Sequence, residues 1–125
     1  MKILVVDDNA YILELVKHFL KGGDYVVECA SNVASAIGIL DTQKGFSLVI
    51  TDIIMPGEDG TKLARYVKEN YGSIPVLAIT GGVENAVEDF KNYADMFADE
   101  TLAKPFKPDE LIGAIERLTK SQKCA

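Results

Sequence analysis

The chain has 125 residues, 19 acidic against 13 basic side chains, one histidine and two cysteines, giving a formal net charge of −6. That length holds one hydrophobic core, 48% hydrophobic and 26% charged residues exclude a disordered or fibrous chain, and the acidic balance argues against a general nucleic-acid or anionic-membrane binder, which needs clustered Lys and Arg. The longest apolar runs, such as residues 3–6 and 76–79, fall far short of the ~20 residues of a membrane span; Met1-Lys2-Ile3 shows no signal-peptide core, Cys29 and Cys124 imply no disulfide framework, and a cytoplasmic location is expected.

In chain order, residues 2–6 read as a first strand and Ile12, Leu15, Val16, Phe19 and Leu20 as the buried face of a first helix stopped by Gly22-Gly23. A second strand over 25–30 leads to a second helix with Val33, Ala36, Ile37 and Leu40 inward. A third strand over 48–51 precedes a third helix striped by Leu63, Ala64 and Val67, and a fourth over 76–80 precedes a fourth helix from 84 to about 97. A fifth strand over 101–103 leads to a fifth helix opened by Pro108, with Asp109 and Glu110 in its first turn. Strands one, three and four are apolar on both faces, as a parallel sheet between helix layers requires. The expected architecture is an α/β (βα)5 doubly wound sheet, since barrel closure needs eight units.

Open parallel sheets bind ligands beyond the carboxyl ends of their strands. Strand one ends in Asp7-Asp8, strand three in Asp52, strand four in Thr80-Gly81-Gly82 and strand five in Lys104-Pro105. Each has a plain reading on its own: Asp8 as a helix N-cap worth ~1 kcal/mol, Asp52 as a turn residue before Pro56-Gly57, Thr80 as a strand-end threonine, Lys104 as a solvated lysine. Together the plain readings fail, because three carboxylates crowded at one sheet end repel unless a cation joins them. Oxygen-only ligands favour magnesium over zinc. Asp52 is then a candidate nucleophile toward a phosphoryl group, with Thr80 and Lys104 placed to contact its oxygens. Dinucleotide and Walker loops are absent, and Val6-Asp7-Asp8-Asn9 repels phosphate without a metal.

The segments Ile3 to Asn9, Leu48 to Gly57 with Asp59-Gly60, Ile74 to Gly81 and Leu102 to Phe106 jointly resemble the receiver domain of two-component response regulators. The resemblance implies a flavodoxin-like sheet order 2-1-3-4-5, a receiver domain over 1–119 with a polar tail over 120–125, and Asp52 as phosphoacceptor. It further implies Mg2+ held by Asp7, Asp8, Asp52 and the Ile54 backbone carbonyl, with Thr80 as switch hydroxyl, Lys104 as phosphate-sensing lysine and a cis Lys104–Pro105 bond. The expected partners are a sensor histidine kinase or histidine phosphotransfer protein and a downstream protein or fused output domain, with no direct nucleic-acid contact by this domain and no membrane contact. Such a domain is not a conventional enzyme but catalyses its own phosphorylation and dephosphorylation. It switches partner binding through the face of helix four, strand five and helix five.

Departures from the family pattern lead to further expectations. Thr101 stands where an aromatic is usual and Phe97 where glycine is usual, so coupling through that face should differ. Ile54 and Gly82 place no polar side chain near the attacking water, so dephosphorylation should be slow. His18 reads as a solvated helix residue, Met55 as packing behind the loop, and Tyr11 with Leu13 as part of a partner-docking patch. The alternative is a phosphate-independent interaction module that keeps the fold for docking.

Overall fold

A computed structural model describes residues 1–55, 58–80 and 98–123. A five-stranded parallel sheet has the order β2-β1-β3-β6-β7, from β1 (Lys2–Val6), β2 (Val26–Ala30), β3 (Phe46–Asp52), β6 (Val76–Thr80) and β7 (Glu100–Ala103). A two-residue antiparallel pair, β4 (Ile54–Met55) with β5 (Glu58–Asp59), follows β3. Four described helices are α1 (Ala10–Leu20), α2 (Val33–Thr42), α3 (Gly60–Asn70) and α4 (Pro108–Lys123). This is the expected doubly wound order 2-1-3-4-5, with β6 and β7 as the fourth and fifth expected strands and α4 as the fifth expected helix. The fourth expected helix, over 84 to about 97, lies outside the described residues.

Alternation along each strand splits the core into two layers. Leu4, Val6, Val49 and Val76 meet Ala36 and Leu40 of α2 and Leu63 and Val67 of α3. Ile3, Val5, Leu48, Ile50, Leu77 and Ile79 meet Val16 and Leu20 of α1 and Leu111 and Ile115 of α4. Both sheet faces are therefore dry, which explains why these strands are apolar throughout and why polar side chains collect at the strand ends.

Helix starts are fixed by side-chain caps. Asn9 accepts from Tyr11 N at 2.9 Å and opens α1, which corrects the plain reading of Asp8 as that cap. Asn32 accepts from Ser35 N at 2.7 Å and opens α2. Glu110 reaches back to the Lys107 N–H at 2.9 Å, half of a capping box for α4. After α1 the chain turns at Gly22, whose φ of +94° lies in the left-handed region that glycine reaches without a Cβ clash. α4 runs on to Lys123, so residues 120–123 continue the helix.

Candidate functional site

Three strands deliver chemically active side chains to one end of the sheet. β1 leads into Asp7 and Asp8, β3 ends in Asp52, and β6 ends in Thr80. One carboxylate oxygen from each of Asp7, Asp8 and Asp52 lies within 4.8 Å of the other two. Asp7 and Asp52 are buried at 2% and 6% exposure, while Asp8 is exposed and opens the cluster to solvent.

Lys104, which follows β7, joins the cluster across the sheet. Its Nζ donates to Asp7 Oδ2 at 3.1 Å and to Asp52 Oδ2 at 3.3 Å. The other oxygen of Asp7 accepts from the Asn9 N–H at 2.9 Å. Burial by itself lowers the pKa of the Lys104 ammonium, but the charges of Asp52 and Asp7 and the hydrogen bonds to both outweigh it and leave the pKa above the usual lysine value. Lys104 is therefore charged at neutral pH.

Three carboxylates and one ammonium sum to −3 + 1 = −2. At an effective dielectric of ~20, unit charges 4.8 Å apart repel by about 3.5 kcal/mol, and each contact to Lys104 returns about 5 kcal/mol. Three repulsions thus rival two attractions, and Asp8 has no cationic partner among the described residues. A divalent cation bound there would offset the remaining −2. The donors are all carboxylate oxygens, two of them from residues that also bond Lys104 and one from exposed Asp8, a set that fits a hard ion such as Mg2+ and not a nitrogen and sulfur site for zinc.

Thr80 is 6% exposed at the end of β6, and its carbonyl accepts from the Lys104 N–H at 2.6 Å, tying the lysine to the strand that carries the hydroxyl. The Lys104–Pro105 peptide bond is cis. Ile54 opens β4 two residues after Asp52. Thr101, three residues before Lys104, lies on β7, pairs with Ala78 of β6 and is partly buried. Pro56, Gly57, Gly81, Gly82 and Phe97 lie outside the described residues, as does the helix-four part of the expected switching face.

Beside the cluster, Tyr11, Ile12, Leu15, Lys104, Pro105 and Phe106 line a largely apolar groove of about 400 Å3. Tyr11 is 69% exposed, whereas Leu13 packs partly against the core and does not line the groove. His18 is exposed in the last turn of α1, among the solvated residues of that helix. The sequence reading missed Asn9, although an Asn directly before the first apolar-periodic residues is a cap signal.

The model of the response regulator receiver domain family matches residues 3–116, and the chain belongs to that family. The transcriptional regulatory protein ResD of Bacillus subtilis is 32% identical over 119 residues, 94% of this chain and 47% of ResD. NtrX from Brucella abortus superposes with a TM-score of 0.87 at 30% identity, over 98% of this chain and 28% of that one. A response regulator receiver domain protein from Clostridium thermocellum superposes with a TM-score of 0.86 at 27% identity, over 98% of this chain and 97% of that one. The chain spans about half the length, or less, of the curated relatives it matches. Two of those are named as transcription regulators, so the expectation against nucleic acid does not extend to such longer proteins. No helix among the described residues is long and apolar enough to cross a membrane.

Proposed function

We propose that residues 1–119 form the phosphoacceptor unit of a two-component phosphorelay in the cytoplasm, taking a phosphoryl group from a partner phosphohistidine onto Asp52. The observation that carries this reading is Asp52 itself: a 6% exposed carboxylate at a strand end, with Asp7 and Asp8 within 4.8 Å and an ammonium on its Oδ2 at 3.3 Å. An isolated buried carboxylate is a costly group, and one that shares its lysine with Asp7 and lies beside Asp8 as well is a charge centre suited to accept more cation.

In the proposed step an Asp52 carboxylate oxygen attacks phosphorus, the P–N bond to the partner imidazole breaks, and its electron pair leaves with the imidazole nitrogen as an acyl phosphate forms on Asp52. Asp7, Asp8, Asp52 and the Ile54 carbonyl would hold Mg2+, which would supply positive charge to offset that of the incoming phosphoryl group. Lys104 exchanges its contact with Asp52 Oδ2 for a phosphoryl oxygen, and the Thr80 hydroxyl donates to another. Because the Lys104 N–H already rests on the Thr80 carbonyl, those two movements are mechanically linked. The output then passes through β7, α4 and the preceding segment to a downstream protein or output domain. Thr101 in place of an aromatic makes that coupling differ from a ring-flip, and Ile54 with Gly82 leaves hydrolysis slow. The groove beside Tyr11 and Phe106 receives an apolar side chain of the histidine kinase or phosphotransfer partner.

Incubation with acetyl phosphate and Mg2+ is expected to add one phosphoryl mass, about 80 Da, to the wild-type chain and none to Asp52→Asn. Equal labelling of both chains overturns the assignment, and no labelling of either supports the phosphate-independent docking module.

A further inference from the structure

The Asp7 carboxylate is held at both oxygens by donors of different origin. Oδ2 accepts from Lys104, 97 residues away, at 3.1 Å. Oδ1 accepts from the Asn9 N–H, two residues away, at 2.9 Å. Lys104 is divided between Asp7 and Asp52, so the anchor that belongs to Asp7 alone is the Asn9 N–H.

That N–H is aimed by the Asn9 side chain. Asn9 has φ −91° and ψ 109°, extended rather than helical, and its Oδ1 accepts from Tyr11 N at 2.9 Å while its carbonyl accepts from Ile12 N and Leu13 N at 3.1 and 3.3 Å. The carboxamide therefore closes a local turn that keeps the residue out of the helix and its N–H on Asp7. A side chain that cannot cap lets the first turn fray, and the donor swings with it. Aspartate caps equally well by shape, yet adds a fourth negative charge beside three. Asparagine makes the same bond without charge.

We infer that Asn9 is a positioning residue for the magnesium site: its cap fixes the backbone donor that orients Asp7, coupling the start of α1 to the affinity of the carboxylate cluster. The inference rests on the Mg2+ reading above. Asn32 supplies a matched control, since it caps α2 by the same kind of bond but is not the Asp7 donor.

Calorimetric titration with Mg2+ alone, alongside thermal unfolding without metal, separates the roles. Asn9→Ala and Asn32→Ala are expected to lower the unfolding midpoint to a similar degree, while only Asn9→Ala weakens Mg2+ binding, by about fivefold, the equivalent of one lost cap. Asn9→Ser, a neutral residue that caps, is expected to restore both. Asn9→Gln, a poor cap of similar chemistry, gives the same answer if the alanine variant does not fold. Wild-type Mg2+ affinity in Asn9→Ala or Asn9→Gln overturns the inference, as does an equal loss in Asn32→Ala. Absence of Mg2+ binding by the wild-type chain overturns the magnesium reading instead.

Discussion

The two ends of the sheet use carboxylates in opposite ways. At the carboxyl end, two of three clustered carboxylates share one ammonium and the cluster keeps a charge of −2. At the other end, where the helices finish and the strands begin, two phenols share one carboxylate. Tyr66 of α3 donates to both oxygens of Asp41 at 2.9 and 3.0 Å, and the hydroxyl of Tyr71, just past α3, bonds to Asp41 Oδ1 and to the Leu40 carbonyl. Every polar atom of that second cluster meets a donor or acceptor of the chain itself, and it ties α2 to α3 with no need of anything added. One end is a finished joint and the other is an incomplete one, and incompleteness is what a binding site looks like before its ligand arrives.

The contrast sets opposite signs for the same kind of substitution. Asp8→Asn, in metal-free buffer, removes two repulsions and no attraction, so it is expected to stabilise the fold by about 1 kcal/mol after solvent screening at an exposed residue. Asp41→Asn leaves one amide oxygen for two phenols and is expected to lower the denaturant midpoint. Denaturant unfolding of both variants checks the pair, and changes of the same sign break the comparison.

A smaller, spectroscopic effect sharpens it. The hydrogen bond to Asp41 comes first among the causes that raise the pKa of Tyr71 to about 12, followed by desolvation and the charge of Asp41, and Tyr66 is raised for the same reasons. A tyrosine raised in the folded state stabilises the fold fully below its unfolded value near 10, and that contribution is lost as pH rises through about 12. Absorbance titration is expected to show late-ionising phenols in the wild type and to return them toward 10 in Asp41→Asn. Superimposable curves for the two proteins contradict the shared-carboxylate account.

Most of the framework was legible in the sequence because dry strands leave unbroken apolar runs. β1 and β6 have the expected bounds, β7 begins one residue earlier than expected and β2 one later. β3 starts at Phe46, two residues before the expected strand, since the aromatic ring tucks into the core at 8% exposure just past the Gly45 turn. The β4–β5 pair gave no signal, because two-residue ladders have no periodicity to read. The candidate site was legible because each of its side chains stands at the end of a recognisable strand, so topology alone brings Asp7, Asp8, Asp52 and Lys104 together. What stayed hidden was pairing: the division of Lys104 between two carboxylates and the link from Asp41 to tyrosines 25 and 30 residues away. Contacts between separate elements leave no spacing pattern, whereas Asn9 left one that competed with the adjacent Asp8.

The central claim is that the carboxyl-end cluster is completed by a divalent cation, and the unfolding midpoint as a function of Mg2+ concentration tests it most directly. The wild-type midpoint is expected to climb with Mg2+, by about 2.7 kcal/mol of added stability at a hundred times the dissociation constant. The climb is expected to persist in Asp41→Asn and to vanish in Asp52→Asn. A flat wild-type profile, or one that rises equally in Asp52→Asn, contradicts the account.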